Sequence, residues 1–174
     1  MITLRIPRIE TSRLRLREFV EGDIETMVKI AEDPETSRFI TNDGLPKDRE
    51  HAWRTMTNLM GHWALRGYGM WAVEEKASNR FAGYVGPYFP ETWPDKEIGW
   101  TIAREFWGRG FATEAARIAL EYARDTLEWT KVIHVIHPDN WRSIAVAERI
   151  GSKRVGQWMR GGKPLHLYGQ DLGG

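Results

Sequence analysis

The sequence predicts a mixed α/β fold built as a single unit, and three observations predict it. The stretch from Glu97 to Gly151 reads as strand, glycine loop, amphipathic helix, buried strand, and a polar turn opening a second helix. Three short strand-like runs, Met70 to Glu75, Phe81 to Tyr88 and Glu97 to Ile102, lead into it. A length of 174 residues suits one domain with a substantial core, and no repeat, low-complexity segment or linker divides it.

Leu14-Arg15-Leu16-Arg17 alternates apolar with charged residues, as a half-buried strand does. Ile24, Met27, Val28 and Ala31 recur at helical spacing after a capping Asp23, and Asp33-Pro34 is expected to stop that helix. A second helix is expected from about Asp48 to Leu65, with Trp53, Met56, Met60, Trp63 and Ala64 on one face and Gly67 closing it. Lys76 to Asn79 reads as a hairpin turn, while Pro87, Pro90 and Pro94 make Tyr88 to Asp95 an irregular loop.

Along the strand from Glu97, Ile98, Trp100 and Ile102 point one way and Glu97, Gly99 and Thr101 the other. The second face is small and polar around one carboxylate, with room for a ligand. Ala116, Ala119, Leu120 and Ala123 then form the buried stripe of a helix whose outer stripe is Glu114, Arg117, Glu121 and Arg124. Lys131 to His137 suits a strand covered on both faces, so strand, helix and strand make a right-handed parallel crossover. A short helix from about Trp141 to Ile150 ends at Gly151, and Val155 to Trp158 with Leu165 to Tyr168 form a closing hairpin around Gly161-Gly162.

The net charge of +1, with acids and bases interspersed, gives no footprint for nucleic acid or for a polybasic membrane contact. No apolar run nears the ~20 residues of a membrane helix, and the start carries no signal-peptide pattern. The expectation is a soluble cytoplasmic protein. Cysteine is absent, which removes disulfides, thiolate metal sites and a cysteine-bound acyl intermediate.

The chemical candidates are three. Gly108 and Gly110 sit between a strand and a helix, where φ > 0 and close approach to the main chain are available. The helix that follows offers unpaired N–H groups and the positive end of its dipole to a phosphate. A tight strand-to-helix turn explains the same glycines. The loop is neither a Walker loop nor the dinucleotide fingerprint, because Thr113 stands where the third glycine of the latter belongs.

Asn140 and Ser143 are the second pair. They fit a helix cap and a first-turn hydroxyl, yet Ser143 heads the face of Val146, Ala147 and Ile150 and so points toward the sheet. Glu97 is the third, read either as a solvated strand-end residue or as a functional carboxylate. His134 and His137 fall on opposite faces of a strand and cannot readily chelate one ion, so no metal is expected.

Taken in order, these motifs resemble the GNAT superfamily of N-acetyltransferases, in its RimJ/RimL-like branch. The resemblance runs from Thr11-Ser12-Arg13-Leu14 through Gly83-Tyr84-Val85-Gly86, Glu97-Ile98-Gly99-Trp100 and Phe106-Trp107-Gly108-Arg109-Gly110-Phe111-Ala112-Thr113 to Asn140, Ser143 and Gly151. It implies one N-acetyltransferase domain over 1–174, with a mixed sheet of about six or seven strands, helices on both faces and a splayed parallel pair. It also implies acetyl-CoA as co-substrate. Its pantetheine arm would lie along Trp100, Thr101 and Ile102 and bond Asn140, and its pyrophosphate would rest on the backbone from Trp107 to Thr113, with Gly108, Arg109, Gly110, Phe111 and Ala112 between. Ser143 would stand near the thioester sulfur. Two positions depart from the family pattern: Glu105 replaces Gln or Arg, and Ser152 replaces an aromatic residue.

The expected reaction is direct attack of a neutral amine on the thioester. Near pH 7.5 an α-amine of pKa ~8 is about a quarter neutral, whereas a lysine at ~10.4 is about a thousandth neutral. Glu97 is the expected base, acting through water, and Ser143 the expected acid, with Tyr168 as the lesser alternative. The acceptor is a protein N-terminus or a small-molecule amine, in a groove lined by Trp53, Trp63 or Trp93. A non-catalytic acyl-CoA sensor and a generic phosphometabolite binder are the other readings. The sequence carries no signal for oligomeric state, and a two-fold homodimer is only the general expectation for soluble chains.

Overall fold

The computed structural model describes residues 5–173; the ends of the expected 1–174 unit, including the start read for a signal pattern, lie outside that range. In chain order the elements are β1 (Ile9–Glu10), β2 (Leu14–Arg17), α1 (Ile24–Glu32), α2 (Pro34–Ile40), α3 (Arg49–Arg66), β3 (Trp71–Glu75), β4 (Arg80–Tyr88), β5 (Glu97–Ile102), α4 (Phe111–Asp125), β6 (Lys131–Ile136), α5 (Trp141–Arg149), β7 (Lys153–Arg160) and β8 (Lys163–Asp171). All the described strands join one sheet in the order β1-β2-β3-β4-β5-β6-β8-β7. The strand beyond the expected six or seven is the two-residue β1, which pairs only with β2.

Two helical expectations are corrected. Asp33-Pro34 does not simply stop α1; it starts α2, because the Asp33 carboxylate accepts from the Thr36 amide at 3.1 Å and proline tolerates the first helical position. In α3 the buried stripe is Ala52, Met56, Leu59 and Trp63, while Trp53 is 47 % exposed. Trp53, Met60 and Ala64 of the expected face each sit one residue past a position of that stripe and so turn outward. Asp48 caps this helix through the His51 amide at 2.9 Å, and Gly67 ends it at φ 75°.

Cross-strand pairs fix which face each side chain takes. Val85 opposes Trp100, on the face where Trp100 meets α5. Arg17 opposes Ala72, Ala72 opposes Tyr84, and Tyr84 opposes Thr101, on the face where Arg17 bonds Asp23 at the start of α1. Helices α1 and α3 pack together on that second face, and α4 packs over β4 and β5 from the first.

The parallel pair β5–β6 parts almost as soon as it forms. It keeps one register pair, Glu97 opposite Ile133, with the Ile133 amide donating to the Lys96 carbonyl at 2.9 Å. In a regular ladder the next bond would join the Val135 amide to the Ile98 carbonyl. Here Val135 N–H donates to the Glu97 carboxylate at 2.9 Å, and the Ile98 carbonyl accepts from His134 Nδ1 at 2.7 Å. Two side chains have taken the two halves of one rung, and beyond them the strands diverge.

Candidate active site

A cleft of about 950 Å³ opens along the freed edge of β5 and the first turns of α4 and α5. Trp100, Thr101, Ile102, Trp107, Gly108, Gly110, Phe111, Ala112, Thr113, Asn140 and Ser143 all border it. Arg109 does not: its guanidinium pairs with Glu75 and lies 4.6 Å over the Phe111 ring. Any part Arg109 takes is therefore through its backbone.

Both glycines of the loop bordering this cleft are left-handed, Gly108 at φ 74° and Gly110 at φ 77°. A Cβ on Gly108 would meet nothing within 4 Å, so conformation rather than space demands glycine there. Trp107 N–H is spent on the Arg104 carbonyl, and the next amide with a backbone acceptor is Glu114, bonded to Gly110. Among the described residues none accepts from the amides of Gly108 through Thr113. The free run thus begins one residue later than expected and coincides with the positive end of the α4 dipole.

Glu105, just before the loop, and Glu114, in the first turn of α4, are both ion-paired. Glu105 pairs with Arg80 and Lys29. Glu114 accepts from Thr11 Oγ1 at 2.5 Å, the Arg13 amide at 3.1 Å and Arg13 Nε at 2.7 Å, which together hold its carboxyl below the usual range despite burial. Arg142 lies 4.6 Å from both the Trp107 and Trp141 rings at the rim, and Arg117 and Arg149 border the same cleft. Four arginines, Arg13, Arg117, Arg142 and Arg149, border the cleft against three acids, Glu35, Glu114 and Glu121.

A narrow wedge of about 70 Å³ adjoins the cleft between the diverging strands. Glu97, Gly99, His134 and His137 border it together with Trp100, Asn140 and Ser143, which it shares with the cleft. Glu97 is 6 % exposed, not a solvated strand end. Burial pushes its carboxyl up to about 7, against the opposing pull of the Val135 amide and the Trp93 indole N–H, the latter at 2.6 Å. The room that Gly99 was expected to leave is largely filled by Met70, whose methyl would lie 2.5 Å from an added Cβ.

Asn140 and Ser143 form the helix cap and also border the cleft. Asn140 Oδ1 caps α5 by accepting the Ser143 amide at 3.2 Å, and both side chains face the cleft. Ser143 Oγ accepts from the Trp100 indole at 3.2 Å, which leaves its own hydrogen free to donate. Tyr168 lies opposite His134 in the sheet, packed on Ile136 and Ala147, and borders neither the cleft nor the wedge. Of the tryptophans expected in the acceptor groove only Trp93 reaches the site; Trp63 is core, bonded to the Met70 carbonyl, and Trp53 faces outward.

Sequence reasoning missed two contributors. The α2 residues Thr36, Phe39 and Ile40 wall the cleft, hidden because their helix was not expected. In the sequence His134 offers only a metal-ligand reading. It is buried and neutral, held down to about 4 by desolvation, with Nε2 accepting from Ser152 Oγ at 2.8 Å and Gln170 donating to that hydroxyl at 2.8 Å. Ser152, the departure from the family pattern, is the partner of this histidine. No cluster of three or more metal-binding side chains occurs among the described residues.

Splayed parallel strands, a run of free amides at a helix start and a buried carboxylate beside the gap together make up the candidate site. Residues 13–153 match the acetyltransferase (GNAT) domain family, and the chain belongs to it. It is thereby an acetyltransferase of a family that uses acetyl-CoA. Over 172 residues it is 34 % identical to the uncharacterized protein YkkB of Bacillus subtilis, covering 92 % of this chain and 94 % of that one. The crystal structure of an acetyltransferase from Agrobacterium tumefaciens superposes with a TM-score of 0.83 at 27 % identity, covering 98 % and 97 % of the two chains. RimL, a ribosomal L7/L12 alpha-N-protein acetyltransferase in complex with coenzyme A, shares the fold at a TM-score of 0.74 and 18 % identity, over 95 % of this chain and 98 % of that one. No described helix is long and apolar enough to cross a membrane.

Proposed function

We propose that the chain is a single-domain N-acetyltransferase of the RimJ/RimL-like branch that moves the acetyl group of acetyl-CoA to a primary amine by direct attack. The observation that carries this reading is the placement of Glu97, buried and poised near neutral pH, beside a cleft floored by the free amides of Gly108 to Thr113. A general base works best when its pKa lies near the working pH.

In this mechanism the loop amides hold the diphosphate and Asn140 bonds the pantetheine arm, which runs along Trp100 to Ile102. By strand alternation Trp100 turns its N–H and carbonyl to the same side as the Ile98 and Ile102 carbonyls, toward the gap. That edge supplies a donor for the thioester carbonyl. The amine nitrogen attacks the carbonyl carbon while Glu97 takes its proton, directly or through one water. Collapse of the tetrahedral intermediate breaks the carbon–sulfur bond; Ser143 Oγ–H passes its hydrogen to the departing thiolate and regains one from solvent water, while Glu97 releases the amine proton to solvent. Positioned acid and base groups each contribute about 10²–10⁴-fold.

The acceptor is a protein N-terminus or a small amine, and the protein acts in the cytoplasm, as a homodimer. Calorimetric titration with acetyl-CoA followed by thiol release across an amine panel tests the reading. Binding with turnover on at least one amine is expected. Tight binding with no turnover on any α-amine or small amine would instead favour a non-catalytic sensor.

A further inference from the structure

The Glu97 carboxylate has two donors, and only one of them is a side chain. Oε1 accepts from the Val135 amide at 2.9 Å, and Oε2 accepts from Trp93 Nε1 at 2.6 Å. Trp93 comes from the irregular loop between β4 and β5, and the backbone is bent to deliver it. Thr92, immediately before, holds φ 68°, a left-handed conformation costly for a branched residue, and the Trp93 amide closes a turn on the Pro90 carbonyl at 3.2 Å. The ring is then gripped from two strands, Tyr88 of β4 at 5.5 Å and Trp158 of β7 at 5.0 Å, with Arg160 of β7 4.8 Å above it. A loop strained at one residue and clamped by three side chains is an expensive way to place one indole, and its polar end points at the carboxylate.

We propose that Trp93 is a positioning residue for Glu97: its indole N–H fixes the carboxylate in the gap between β5 and β6 and sets how readily it takes a proton. This rests on the reading of Glu97 as the base. A donor to a carboxylate favours the ionised form, so Trp93 counteracts the burial that pushes Glu97 upward. The charged group acting on Glu97 is Arg160 of β7, which works in the same sense, and the titratable side chains behind it are Tyr88 of β4 and His62 of α3, stacked 5.2 Å apart.

The test needs no acceptor. The side-chain carboxyl carbon of Glu97 is titrated by NMR in the free protein, its resonance assigned by loss in Glu97→Gln. Trp93→Phe keeps a ring between Tyr88 and Trp158 but removes the N–H, and the Glu97 midpoint is expected to rise by about one pH unit, tenfold in proton affinity. Trp158→Phe, which touches the clamp but donates nothing to Glu97, is expected to leave the midpoint in place. An unmoved midpoint in Trp93→Phe, or an equal rise in both variants, overturns the inference. The pH profile of turnover on whichever panel amine reacts then separates the two claims. A limb that follows the midpoint supports both, and a midpoint that moves without the limb sinks the base assignment while leaving the Trp93 bond as the group that sets Glu97.

Discussion

His134 Nδ1 donates to the Ile98 carbonyl at 2.7 Å, in the place where a strand amide would stand if β5 and β6 continued side by side. The bond fixes the tautomer: with the proton on Nδ1, Nε2 must accept, and Ser152 supplies the hydrogen. Glu97 does the complementary task for the Val135 amide. The cleft is therefore held open by two side chains that satisfy the backbone groups the divergence would otherwise orphan.

His134 carries a stability prediction with a definite sign. Its folded pKa of about 4 lies below the ordinary value of 6.5, so the unfolded chain binds more protons between these limits. Its contribution is full above about 6.5 and is lost as pH falls toward 4. His134→Gln is expected to be less stable than wild type at pH 7.5, and the gap in urea midpoint should narrow by pH 4.5. A gap that stays constant across this range would contradict the buried neutral histidine.

Glu97→Gln removes the base while leaving an oxygen for the Val135 amide. With the carboxyl pushed up to about 7, the ionised form dominates only above that pH, so wild-type turnover should rise as pH increases through 7. A weakly basic acceptor, titrating below about pH 5, keeps the amine's own ionisation out of the profile. The variant should lose about 10²–10⁴-fold in kcat and the limb with it. An unchanged limb would demote Glu97 to a structural residue.

Ser143→Ala deletes the hydrogen proposed for the departing sulfur and leaves the Asn140 cap bonded to the same backbone amide. Turnover should fall well over tenfold, with acetyl-CoA affinity changed little. Equal loss in affinity and turnover would mean that the hydroxyl serves binding rather than chemistry.

Gly110→Ala forces a Cβ onto φ 77°, at a cost of about 1–2 kcal/mol. The contact itself is mild, 3.3 Å from the flexible end of Arg13, so strain rather than collision is the cause. Relief of that strain rotates the loop amides, and coenzyme A binding by calorimetry should weaken by tenfold or more. A destabilised variant that binds as tightly as wild type would separate the glycine from the ligand.

Most of the architecture was legible because its signals are local. Alternation marks β2, the alanine stripe marks α4, and Gly108-x-Gly110 between strand and helix marks the anion loop. What escaped depends on partners distant in sequence or on competing meanings of one motif. Asp33-Pro34 ends one helix and begins another, and only the Asp33–Thr36 bond shows the second role. β1 is two residues, too short for any alternation to show, and it is held by its pairing with β2 and by Ile9 packing on the core. Trp93 meets Glu97 four positions away through an irregular loop, and His134 meets Ile98 and Ser152 across the sheet, so neither contact has a period to announce it.

The central claim is that the free amides from Gly108 to Thr113 receive a diphosphate. The most direct measurement is a ¹⁵N–¹H correlation titration with coenzyme A, repeated with pantetheine, which lacks the phosphates. Large, saturable shifts of the Gly108, Arg109, Gly110, Phe111, Ala112 and Thr113 amides are expected with coenzyme A, and small ones with pantetheine. Saturation by coenzyme A with those six amides unmoved, or the same loop shifts from pantetheine, would contradict it.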